Sequence, residues 1–332
     1  MLQMTKNTFW EFVCENPEIL SQAMCLTINP NVSLKLILEN KDINWNRTIL
    51  LSNPSITWDD ILNTLDQEWT YIEISRNTNI TWKIAQENTF NVWDYFTISS
   101  HPSTTWKIVK NNPTIHWSTY GLSINPNITI DIVNENPNRC WDYFNLSSNI
   151  SITWNDIISN PDRPWCYTRL SYNPNITLDI VKANPDKHWC KFNVSRNINV
   201  TWEIIQANPD YKWNYSAVSI NPNITWDIVI ANIDKDWDFN ALLINPNITP
   251  YIIRNNRSYF PKSLEKFAHN QLNHHEYFQS RPYKKRMTAQ MHSAIYCELI
   301  QRACTPARLY QWNEGAAEDF PEEYLQECAK YK

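Results

Sequence analysis

Between residues 29 and 256 short apolar runs alternate with polar punctuation in a fixed register of 24 residues. The unit Asn221–Ile244 shows the pattern. Its fifth residue is Thr225, and Ser or Thr holds that phase in all ten units, from Ser33 to Thr249. A hydroxyl kept just ahead of an apolar run reads as a helix N-cap. The preceding residue is Ile or Val in nine units, with Thr104 the exception, and Val, Ile or Ala85 follows four residues after the cap. Such a pair forms a hydrophobic staple. Acidic residues at Asp59, Asp131, Asp179, Glu203 and Asp227 complement the dipole of the first turn. Asn comes seven residues after the cap in nine units, and Pro follows it at Pro113, Pro137, Pro161, Pro185 and Pro209. Proline drives its predecessor out of the α region, so the predicted helix stops after about two turns.

The second half of each unit repeats this logic around tryptophan. Trp45, Trp69, Trp93, Trp117, Trp141, Trp165, Trp189, Trp213 and Trp237 recur without a slip. A small, mostly polar residue follows (Thr70, Asp94, Ser118, Asp142, Asn214, Asp238), and an aliphatic one stands four positions further on, as at Ile74, Leu122 and Val218. This reads as a second staple and cap, opening a helix of one to two turns, α or 3-10. The competing strand reading rests on the alternation in Ile-Thr-Trp-Asp-Ile-Val. Helix tails such as Lys182-Ala183-Asn184 and the uniform cap favour helix.

A period this long marks one structural unit copied in tandem. The chain is therefore expected to be all-α, a solenoid of about ten and a half 24-residue repeats. Each repeat holds two short helices, and a helical tail ends the chain. The expected division is an N-terminal cap and partial repeat over 1–28, the array over 29–256, and a C-terminal cap or tail over 257–332. Helices this short are unstable alone, so stacking must supply the stability. Ten layers at about 9 Å each predict a rod roughly 90 Å long.

Leu170-Ser171-Tyr172-Asn173-Pro174-Asn175-Ile176-Thr177, taken with Asn184-Pro185-Asp186-Lys187-His188-Trp189, resembles the Asn- and Trp-rich tandem repeats of giant DNA virus proteins. The resemblance covers residues 5–256 and implies a viral origin. In length and Asn-Pro punctuation the unit is also similar to leucine-rich-variant repeats, which build a curved superhelix from alternating α and 3-10 helices. The tryptophans depart from that pattern. Neither resemblance implies a catalytic residue.

Composition narrows the chemistry. Seventeen Trp, sixteen Tyr and eleven Phe supply a core, while only two Gly occur. Asparagine, which tolerates unusual backbone angles and caps turns with its side chain, takes over glycine's usual part. Residues 1–256 carry a net charge of −7 and residues 257–332 one of +2, so the array lacks the positive excess a phosphate backbone favours. Eight cysteines without a CxxC pair suggest reduced thiols in an intracellular protein, in host cytoplasm or virion. No apolar leader and no long apolar run is present, so secretion and membrane insertion are not expected. His274-His275 with Glu276 is the sole histidine cluster, and adjacent side chains on a helix diverge. No phosphate-cradling glycine loop and no nucleophile elbow occurs. No enzyme activity, metal or cofactor is expected.

Recognition belongs where units differ. Two positions before the fixed Trp, the later units carry Arg139, Arg163, Lys187, Tyr211 and Lys235, each after Asp or Asn. This row is the candidate surface for an unidentified protein partner. In the tail, Met287, Met291, Ile295 and Leu299 predict an amphipathic capping or docking helix, and Arg281–Arg286 forms a basic run. The expected function is a non-catalytic protein-interaction scaffold. A self-associating virion component and a single-stranded RNA binder are the alternatives, with nucleic acid disfavoured by the charge.

Overall fold

A computed structural model describes residues 2–64, 70–88 and 92–272. Trp69, Gln67, Asn91, the histidine pair, the basic run and the Met287–Leu299 segment lie outside the described residues. The chain divides into two compact units, residues 1–274 and 275–332, and the first of these holds every described residue. Among the described residues all regular secondary structure is helical.

Every repeat holds two helices. The first set runs from Leu34–Glu39 to Pro250–Asn255, and the second from Arg47–Leu50 to Phe239–Leu242. The caps form as the pattern predicts. Ser33, Thr57, Thr81, Thr105, Thr153, Thr177, Thr201, Thr225 and Thr249 accept from the N3 amide through their side chains. Thr129 does not. On the second helices Asn46, Thr70, Asp94, Ser118, Asp142, Asn214 and Asp238 cap through their side chains as well. Both members of each first-helix staple are buried, as at Ile56 with Ile61 and Ile224 with Val229.

The fixed tryptophans clamp the turn between the two helices. Each described indole Nε1–H donates to the carbonyl of the Asn that ends the first helix, five residues back, at 2.7–3.1 Å. That Asn in turn donates through Nδ2 to the carbonyl four residues before it, closing the helix C-terminus. The indole plane then packs against the preceding repeat. Trp117 meets Trp82 and Tyr95, Trp189 meets Trp154 and Tyr167, and Trp237 meets Trp202 and Tyr215, with centroids 5.0–6.2 Å apart.

Two polar ladders run from repeat to repeat. The Asn that opens each repeat is buried and donates to main-chain carbonyls of the one before. Asn221 reaches Ser195, Asn197 and Val200, and Asn245 reaches Ser219, Asn221 and Ile224, all within 2.8–3.2 Å. Its Oδ1 accepts the amide two residues on, forming an Asx turn. At the one repeat that begins with His101, Nε2 meets the Thr78 carbonyl instead. The second ladder uses the serine that closes most of the second helices, with Leu51 and Leu243 at that phase in two others. Ser99 donates back to the Tyr95 carbonyl and accepts the amide of Ser118 in the next repeat, and the pattern recurs at Ser75, Ser123, Ser147 and Ser171. No buried side-chain nitrogen or oxygen among the described residues lacks a partner. An interior this rich in amides is stable only under that condition.

The array closes on itself. Asn270 donates to Leu243, Asn245 and Ile248 as the next rung would, and Asn29 donates to Ala268 and Asn270. The ladder therefore returns from the last rung to the first. Phe260 takes the place of the fixed Trp, packing on Trp226 and Phe239. Its repeat ends in the 3-10 turn Glu265–His269. The eleventh module is built jointly: residues 270–272 supply its opening turn, and Leu2–Glu15 with Ala23–Thr27 supply its helices. Phe9 and Phe12 pack on Phe267, Arg254 pairs with Glu15 at 2.7 Å, and Cys25 meets His269. Residues expected to be a leading partial repeat and a trailing cap thus contribute to one module, and the expected rod closes into a ring.

Curvature follows from unequal packing. Successive second helices approach one another more closely than successive first helices do. Small residues permit this: buried Ser99, Ser123, Ser147, Ala217 and Ala241 stand on the second-helix side, and Gly121 is the extreme. A Cβ there would lie 2.4 Å from the Phe96 carbonyl oxygen. The second helices consequently line the inner wall. Layers spaced about 8–10 Å give an eleven-module circle roughly 15 Å in radius at the helix axes. Helices about 10–12 Å wide then leave an opening on the order of 20 Å across.

Candidate interaction surfaces

The predicted loop row sits between the first and second helices, and most of it is held against the framework. The Arg139 guanidinium lies over Trp106 at 5.2 Å, and that of Arg163 lies over Tyr143 at 5.7 Å. Lys187 stands 5.7 Å from the Tyr167 ring and pairs with Asp186 at 2.9 Å. That pairing lowers the Asp186 pKa and raises that of Lys187. Lys235 pairs with Asp234 in the same way. Tyr211 packs on Trp213 with centroids 4.6 Å apart, and burial pushes its phenol pKa up. Tyr211 and Lys235 share a groove of about 540 Å³ with Trp202, Trp213 and Tyr215. Arg139, Arg163 and Lys187 each stand over a different ring, so the row is a series of separate latches.

A second surface is not singled out by sequence reasoning. The second residue of every second helix points away from the core. It is exposed at Met24, Thr48, Ile72, Phe96, Tyr120, Phe144, Thr168, Phe192, Ser216 and Asn240. Through one sector this position carries large apolar groups: Ile72, Phe96, Tyr120 and Phe144 in four successive repeats, then Phe192. The Phe96 and Tyr120 rings touch at 5.4 Å. Ile124 and Tyr172, from the ends of the same helices, are exposed as well. On the far sector the position turns polar at Ser216 and Asn240. The signal is present in the sequence as a non-repeating residue at a repeating phase. Its meaning depends on knowing that this phase faces solvent.

The two helix sets also differ in charge. The ten first helices from Leu34–Glu39 to Pro250–Asn255 carry six basic and ten acidic residues. The ten second helices from Ala23–Thr27 to Phe239–Leu242, caps included, carry five basic and four acidic. Three of those four acids, Asp94, Asp142 and Asp238, are engaged as caps. The fourth, Glu73, is held by the Thr70 amide and hydroxyl, which lower its pKa. Among the described residues no group of three or more His, Cys, Asp or Glu could hold a metal, and no helix is long and apolar enough to cross a membrane. No family model, curated protein or solved structure matches the chain.

Proposed function

We propose that the chain is a non-catalytic ring scaffold that binds a protein partner on its second-helix face. One observation carries this reading: the apolar row from Ile72 to Phe192 occupies a phase that packing leaves in water. Burial demands nothing at that phase, as Thr48, Thr168, Ser216 and Asn240 demonstrate. Contiguous exposed apolar groups on a soluble surface mark interaction sites, and aromatic residues dominate the energetic centres of such sites. The non-catalytic part rests on the carboxylates. Asp60, Glu73, Asp94, Asp142, Asp156 and Asp238 are engaged at helix starts.

The test is affinity capture of partners from the native source by two variants. One combines Phe96→Ser, Tyr120→Ser and Phe144→Ser; the other combines Arg139→Glu, Arg163→Glu, Lys187→Glu and Lys235→Glu. The first should lose the partner that the unaltered chain retains, and the second should keep it. Retention by the first variant would remove the second-helix face as the binding surface.

A further inference from the structure

Two neighbouring repeats break the symmetry of the second-helix face. Where seven others cap with the side chain of Asn, Thr, Asp or Ser, these two place Cys166 and Cys190, and neither thiol caps its helix. A missing cap leaves a helix start weaker, so these helices forgo stability that their neighbours keep. Compared with the repeats capped by Asp94, Asp142 and Asp238, this part of the wall lacks a carboxylate. Two cations stand over exposed rings of this face: Arg169 on Tyr167–Leu170 and Arg196 just after Lys191–Ser195. Neither helix carries an acidic residue, and neither arginine is ion-paired among the described residues. The two repeats are locked together, since Asn193 Nδ2 donates to the Thr168 carbonyl at 2.9 Å and the Cys190 amide donates to Ser171 Oγ.

The two guanidinium groups lie over exposed rings. Arg169 stands 4.1 Å over Phe144, and Arg196 stands 4.9 Å over Tyr172 and 6.0 Å from Phe192. Phe144 is 47% exposed, and Tyr172 and Phe192 are each 38% exposed. Stacking fixes the plane of a guanidinium and leaves its N–H edges free for two-pronged contact with a carboxylate. Aliphatic groups are exposed in the two preceding repeats, with Ile124 at the end of Thr119–Ile124 and Ile150 just after Tyr143–Ser148.

Building on the reading that this face binds a polypeptide, we propose that Arg169 and Arg196, with Phe144, Tyr172 and Phe192, receive an acidic segment of the partner whose carboxylates alternate with apolar side chains. Charge complementarity selects that occupant. The two stacked arginines stand in neighbouring repeats, and the wall regains carboxylates at Asp142 on one side and Asp238 on the other. A nucleic-acid strand, charged at every nucleotide, would run past the cluster onto those acids. A short acidic segment ends where the cations end, and its apolar side chains match the aliphatic flanks.

Fluorescence anisotropy on the full chain tests this with three labelled probes. They are a synthetic peptide alternating Glu with Leu and Phe, the same peptide with Lys for Glu, and a single-stranded oligonucleotide. The Glu peptide should bind, weaken with added salt, and lose about tenfold or more in affinity when Arg169→Ala and Arg196→Ala are combined. Arg169→Lys should lose part of that affinity, because charge persists without the planar stack. Equal binding of the Lys peptide, tighter binding of the oligonucleotide, or an affinity unchanged by the double substitution would overturn the assignment. Those outcomes leave the apolar row untouched, and loss of partner capture in the Phe96, Tyr120 and Phe144 variant would still support that row on its own.

Discussion

The two helices of a repeat are similar in length and capping, yet they meet different surroundings. First helices stand further apart around the outside, carry an excess of acid, and bury Val, Ile or Ala toward the ladder. Second helices crowd together inside, separated by Ser, Gly and Ala, and expose an apolar row to the opening. The difference separates two kinds of sequence information. Residues that repeat in every unit build the ring: the asparagine rung, the indole clamp, the hydroxyl caps. Residues that vary at a fixed phase of the second helix are free of that task, and the proposed function is assigned to them.

The largest expected effect lies in what repeats. Asn221→Asp keeps the shape but removes all three N–H donations, and it sets a carboxylate against the Ser195, Asn197 and Val200 carbonyls. Unpartnered buried acceptors cost about 1–3 kcal/mol each, so chemical denaturation should reveal a loss of at least about 3 kcal/mol. A loss near zero would mean that the ladder is decorative. Gly121→Ala probes the crowding of the inner helices. Helix propensity favours alanine by about 1 kcal/mol, but the methyl would collide with the Phe96 carbonyl, and overpacking of this kind costs about 1–3 kcal/mol. We expect net destabilisation, whereas an unchanged or raised melting temperature would show that the inner helices have room to spare. The smallest effect belongs to the exposed row. Phe96→Ser, Tyr120→Ser and Phe144→Ser should each shift stability by no more than about 0.5 kcal/mol, as surface positions do. A large loss at any of them would reassign that side chain to the framework and blur the comparison.

Much of this architecture is legible in the residues, and the illegible parts have physical causes. The helices, their caps and the staples follow from local chemistry, because a hydroxyl at N-cap and an aliphatic pair across it act within one turn. The periodic tryptophans also mark where each second helix begins. Their Nε1 clamp onto the asparagine carbonyl and their contact with a second aromatic row, at Trp82, Trp154 and Trp202, depend on pairing across repeats that no local pattern displays. Ring closure is hidden by drift. Phe260 stands 23 residues after Trp237 and Asn270 stands 25 after Asn245, so the period breaks while the contacts persist. The basic loop row draws attention because it varies, yet cation–π contacts and ion pairs bind it to the framework. The apolar row varies as well, and only the direction in which the inner helices face distinguishes it from core.

Closure is the claim on which the inner face depends, since an open stack has no inside. Glu15 and Arg254, 239 residues apart in sequence, meet at 2.7 Å across the seam and are both partly exposed. Spin labels at Glu15→Cys and Arg254→Cys, with the native cysteines replaced by serine, report that separation directly. The ring predicts a distance at the short limit of the method. An open stack of ten layers would hold the labels roughly 90 Å apart, and a distance approaching that value would contradict the closed ladder and the wall it encloses.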